Sequence, residues 1–223
     1  MKSEGSPLGR KLVIVGAYGS GKTEFALNLA KQMAAKESIV LVDLDIVNPY
    51  FRSRDATELL EELGVEVVYN REFRDADLPA MTARTDTVLA GPETVIVDVG
   101  GDDGARVLGR YKPHLLKNKA EIWMVVNCFR PFTADMAGII ATAGWIEAKS
   151  GLQITALVNN SNLGRETTVE HVRQGAAIVN QAAAQMGVQV PYHCCRPRLI
   201  SQLPEFQDKL FAMELSLFPA DIT

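Results

Sequence analysis

Gly16-Ala17-Tyr18-Gly19-Ser20-Gly21-Lys22-Thr23 follows the spacing G-x-x-x-x-G-K-[ST]. These residue types suit one task, holding phosphate. Glycines let the backbone curl so that successive N–H groups converge on phosphate oxygens. A helix beginning near Lys22 aims the positive end of its dipole at the same anion. Lys22 supplies a mobile charge to the β- and γ-phosphates, and Thr23 a hydroxyl to Mg²⁺.

Carboxylates stand where such a loop needs them. Asp43 and Asp45 close the run Ile39-Val-Leu-Val-Asp43-Leu-Asp45 and point the same way if it is extended. One of the two could hold a water on Mg²⁺ or orient an attacking water. Thr94-Val-Ile-Val-Asp98 brings Asp98 toward Mg²⁺, and the glycines after it let an N–H approach the γ-phosphate. Arg52 and Arg54 are cations near the phosphates, equally at home as solvated side chains. At Asn159-Asn160-Ser161-Asn162, the spacing N-K-x-D that pairs guanine has asparagine in place of its carboxylate. One amide cannot accept both guanine N–H bonds, whereas it suits adenine, so the expected nucleotide is ATP.

The elements that must position these groups alternate. Strands are expected at Lys11–Val15, Ser38–Val42, Val65–Tyr69, Thr94–Asp98, Glu121–Val126, Ile154–Val158 and Val188–Val190. Helices are expected after the phosphate loop, over Thr57–Leu63, Leu108–Leu116, from Thr133 to 148, and over Glu166–Met186. The C-terminal Leu203, Phe206, Leu210 and Phe211 have roughly helical spacing. Residues 70–92 yield only a short helix around Met81. Alternation of this kind predicts an α/β fold with a mostly parallel sheet and helices on both faces. One domain over residues 10–223 follows a flexible tail at 1–9.

A chain of 223 residues, 47% hydrophobic and 22% charged, can bury one substantial core. A formal charge of −4 gives no general pull toward nucleic acid or anionic membrane. No apolar run is long enough to span a bilayer, and the start lacks a signal-like stretch. Three cysteines, Cys128, Cys194 and Cys195, make no disulfide framework, so a cytoplasmic setting is expected. Cys194 and Cys195 read as buried thiols; with His193 they make at most three adjacent metal ligands.

The chain resembles the MinD/ParA-type ATPases of the CobQ/CobB/MinD/ParA group. The resemblance rests on Gly16–Thr23 with Glu24-Phe-Ala-Leu-Asn28-Leu-Ala30, on Val42-Asp-Leu-Asp45, on Val97-Asp-Val-Gly-Gly101 and on Leu157-Val-Asn159. It implies a cytoplasmic, Mg²⁺-dependent ATPase that dimerises with nucleotide and signals to a protein partner the sequence does not identify. Gly19, Ser20, Gly21, Lys22, Thr23 and Glu24 would hold the nucleotide, and Asn159 would touch adenine. Thr23, Asp45 and Asp98 would serve the metal, and Lys22 and Asp45 the catalysis. Ala17 stands where many members carry a lysine that reaches the partner subunit's nucleotide. The acidic, proline-broken tail at 211–223 argues against membrane binding. Two other functions fit the same motifs: a small-molecule kinase or ligase of the CobQ/dethiobiotin-synthetase kind, and a nucleotide-binding module without hydrolysis.

Overall fold

The β-branched and apolar runs form strands. In chain order they are β1 (Lys11–Val15), β2 (Ile39–Asp43), β3 (Val65–Val68), β4 (Thr94–Asp98), β5 (Glu121–Val126), β6 (Ala156–Asn159), β7 (His193–Cys195) and β8 (Leu210–Ala212). This is a computed structural model, and it describes residues 10–44, 60–68, 78–100 and 104–214. The strands make one sheet in the order β3-β2-β4-β1-β5-β6-β7-β8, every pairing parallel. Parallel strands need crossovers, which the helices supply. These are α1 (Lys22–Ala34), α2 (Leu78–Ala90), α3 (Gly104–Lys117), α4 (Met136–Ser150) and α5 (Val169–Met186).

Strand period two explains why both faces are covered. Val13 and Val15, with Val95 and Val97 of β4, pack toward Val88 of α2, Leu108 and Leu115 of α3, Ile139 of α4 and Val179 of α5. Leu12 and Ile14, with Ile96, pack the other way, toward Phe25 and Leu29 of α1 and toward Leu60. Such continuous apolar strands belong in a sheet buried on both sides.

Helix α1 differs from its neighbours at its start. Asp135 caps α4 through the Gly138 N–H, and Thr168 caps α5 with its hydroxyl while His171 reaches back. Gly21 precedes α1 in the left-handed region, with no side-chain cap. The first-turn N–H groups of α1 therefore have no side-chain acceptor at the cap position.

Four local expectations are corrected. The short helix expected around Met81 is a full helix over residues 78–90. Asp135, not Thr133, caps the helix that follows. At the C-terminus, Val188–Val190 gives only an isolated bridge, Gln189 to Ala156, and the helical spacing of 203–211 is not realised. Pro197 and Pro204 open short 3₁₀ turns, which end in β8. Burial decides this: Phe211 in β8 packs 5.1 Å from the Phe25 ring and 5.0 Å from Tyr192. The expectations for residues 1–9 and Thr57–Leu59 lie outside the described residues.

Candidate functional site

The phosphate loop joins β1 to α1 at the carboxyl edge of the sheet, where open α/β sheets bind ligands. Gly21 takes φ +85°, and a Cβ there would also run into the Asn160 side chain. The Lys22 side chain is buried, with Nζ 3.2 Å from the Ala17 carbonyl of its own loop. Its ammonium is thus folded over the loop that would cradle a phosphate. Ser20 Oγ is fully buried with no hydrogen-bond partner among the described residues. Thr23 is half-buried and Glu24 buried in the first turn of α1.

Two carboxylates flank the loop on one side. Asp98 ends β4, next to β1, and Asp43 ends β2, in register with Asp98. Adjacent register places both on the same face of the sheet, and both are buried. Carboxylate oxygens at these strand ends, and a threonine hydroxyl in the first turn of α1, are the donor types that suit Mg²⁺. Asp43 therefore lies beside Asp98, a neighbour that its sequence spacing did not suggest. Asp45, Arg52 and Arg54 lie outside the described residues.

Two further loops close the other side. After β6, Asn160 donates from Nδ2 to the Ser20 carbonyl at 2.8 Å. After β5, Arg130 donates from Nε to the Gly19 carbonyl at 3.1 Å. These loops are themselves stitched together. Asn127 Oδ1 accepts the N–H groups of Phe129 and Asn162, at 3.0 and 3.2 Å, and its Nδ2 donates to the Asn162 carbonyl. Thr133 Oγ1 donates to the Asn127 carbonyl at 2.7 Å, and Ser161 Oγ accepts the Cys128 N–H at 3.0 Å. A backbone pinned at so many points holds Arg130 in a fixed setting.

Asn159, the residue expected to touch adenine, is packed inside the fold and fully buried. Its Oδ1 accepts the Ser161 N–H at 3.2 Å, and its Nδ2 donates to the Val172 carbonyl and to His193 Nδ1. Both ends of the amide are engaged inside the fold. Asn162, standing in place of the guanine-pairing aspartate, is engaged too: Nδ2 donates to the Asn160 carbonyl and Oδ1 accepts the Gly164 N–H. Asn160 and Arg130 are the loop contacts that sequence reasoning missed, because each reaches the loop from more than a hundred residues away.

The cysteines are buried, as expected. Burial pushes the Cys195 thiol up to about 11 and raises Cys194 well above its usual range. No group of three or more histidine, cysteine, aspartate or glutamate side chains that could hold a metal ion occurs among the described residues, and no described helix is long and apolar enough to cross a membrane.

The sequence matches no protein-family model and no curated protein. Solved structures share its architecture. Chloroplast FtsY from Physcomitrella patens aligns at TM-score 0.57 and 17% identity, over 84% of this chain and 59% of that one. Signal Recognition Particle 54 kDa protein from Aeropyrum pernix K1, solved in complex with GDP, aligns at 0.54 and 24%, over 84% and 43%. Cell division protein FtsY from Thermotoga maritima aligns at 0.53 and 19%, over 84% and 62%. This chain thus spans between 43% and 62% of the length of those three structures. At identities of 17–24% the likeness is one of fold, and it does not by itself support the narrower MinD/ParA resemblance. Sheet order, phosphate loop and neighbours agree that the chain has the α/β fold of the P-loop nucleoside triphosphatases.

Proposed function

We propose that this protein is a Mg²⁺-dependent P-loop nucleoside triphosphatase that works as a switch on a protein partner. The observation that carries the reading is the convergence at one sheet edge of an uncapped α1, the buried Lys22 ammonium and the Asp43–Asp98 pair. The chemistry is in-line attack of water on the terminal phosphate. Loop N–H groups and Lys22 would bind the phosphates and offset charge as it develops. Thr23 and Asp98, with Asp43 beside them, would hold the metal. Mg²⁺ held there would supply charge neutralisation for the phosphates. Asp45 would orient the water.

ATP is the substrate to test first, since no carboxylate stands at 159–162 to pair guanine. GTP is the second, since a neighbour of the same fold was solved with GDP. A nucleotide-dependent homodimer is part of the same reading. Phosphate release under MgATP and MgGTP tests it. Slow, saturable release in the wild type, lost in Asp45→Ala while binding persists, fits a hydrolysing switch. Binding without release in the wild type would favour the silent module. Release only with an added acceptor would favour the kinase or ligase.

A further inference from the structure

We infer that the nucleobase is gripped by its face, on the Arg130 guanidinium, rather than read along its edge, so this site discriminates weakly between adenine and guanine. The inference rests on reading the loop as a nucleotide site. Sheet order sets the direction of the ligand. The carboxylates end β4 and β2 on one flank of the loop, and the loops carrying Arg130 and Asn160 follow β5 and β6 on the other. A metal-bound terminal phosphate belongs over the carboxylates, so the nucleoside end lies over β5 and β6.

There the edge-reading groups are already committed. Asn127, Asn159 and Asn162 have both ends of their amides bonded within the protein. Asn160 gives its Nδ2 to the Ser20 carbonyl and retains an acceptor oxygen. One acceptor does not separate adenine from guanine, because each purine offers a donor. Edge discrimination of a hundredfold or more requires a site whose polar groups are left unpaired by the wrong base.

Arg130 has what face recognition needs. Its Nε bond to Gly19 anchors the planar group at the loop, and its four Nη hydrogens have no acceptor among the described residues. Gly19, at φ +72°, lets the guanidinium lie close: a Cβ there would sit 3.2 Å from Nε. Arginine stacks on ring faces without regard to the ring's donors and acceptors. Phe132 and Leu163, exposed on the same two loops, offer apolar surface on that flank.

The experiment titrates the full chain with MgATP, MgGTP and magnesium tripolyphosphate, in the wild type, Arg130→Ala and Arg130→Lys. Expected are ATP and GTP affinities within about tenfold of each other, both well above tripolyphosphate. Arg130→Ala should weaken both nucleotides by the same factor, about tenfold, and leave tripolyphosphate within about twofold. Arg130→Lys, which keeps the charge and loses the plane, should behave like Arg130→Ala. A base preference above about tenfold overturns the inference. So does an Arg130→Ala loss that extends to tripolyphosphate, which would make Arg130 a loop strut or phosphate ligand. Tripolyphosphate binding as tightly as ATP overturns it too, while leaving the phosphate loop intact. Failure of all three ligands to bind the wild type removes the function proposed above as well.

Discussion

Lys22 donates to a carbonyl of its own loop, at 3.2 Å, in a buried setting. A triphosphate offers that ammonium several anionic oxygens instead. Replacing it removes charge-assisted contacts of about 1.5–3 kcal/mol, so Lys22→Ala should weaken MgATP by at least about tenfold in a calorimetric titration. Asn160 acts one step back, by bonding the Ser20 carbonyl. Asn160→Ala should leave the loop in place but looser, with nucleotide affinity down by about 1 kcal/mol, or fivefold. An unchanged affinity would mean that the loop holds its shape without the clamp. The contrast shows what a sequence makes legible. Lys22 belongs to a contiguous motif whose geometry is local. Asn160 lies 140 positions from its acceptor, and no spacing rule spans that distance. Asn159 misleads for a related reason. Its position at a strand end suggests an open amide, and only the packing of α5 and β7 around it shows both ends bonded.

At the scale of elements, β6, β7 and α5 meet in one buried polar knot. Asn159 donates to His193 Nδ1, so the ring is neutral and carries its proton on Nε2. Burial, and then the charge of Lys209, hold the His193 pKa down at about 4 from 6.5. The unfolded chain takes up a proton below 6.5 and the folded one resists until about 4. His193 therefore contributes stability that is whole above 6.5 and lost as the pH falls toward 4. Urea midpoints at neutral and acid pH should fall more steeply for the wild type than for His193→Asn; parallel falls would contradict a neutral buried ring. Gly175 of α5 faces the same knot, and a Cβ there would collide with Ser161. Gly175→Ala should cost about 1–3 kcal/mol in chemical denaturation, by overpacking. Element types with strong periodicity are legible: β1, β4 and β5 lie where their patterns put them, and α5 ends at Met186 as expected but begins at Val169 rather than Glu166. The C-terminus is not, because Phe211 satisfies both a helical stripe and an aromatic cluster, and the cluster is the one built.

For the whole molecule, the parallel sheet is legible from alternation alone, since parallel strands and intervening helices imply each other. The sheet order is not, although it decides function: it sets the carboxylates on one flank of the loop and Arg130 with Asn160 on the other. A switch must also convert nucleotide state into a change that a partner can feel. The solution mass should shift from monomer to dimer with MgATP in Asp45→Ala, the variant that the proposed function expects to lose hydrolysis, and return with MgADP. A mass that never changes would direct the output through a monomer. Beneath all of these lies the claim that Gly16–Thr23 holds the phosphates of a magnesium nucleotide. The most direct measurement is calorimetric titration of MgATP and MgGTP into the wild type and into Lys22→Ala, with thermal melts to confirm that both are folded. The account predicts saturable binding of at least one triphosphate by the wild type and a loss of at least about tenfold in the variant. Equal affinity in the two proteins, or no binding by a folded wild type, would contradict it.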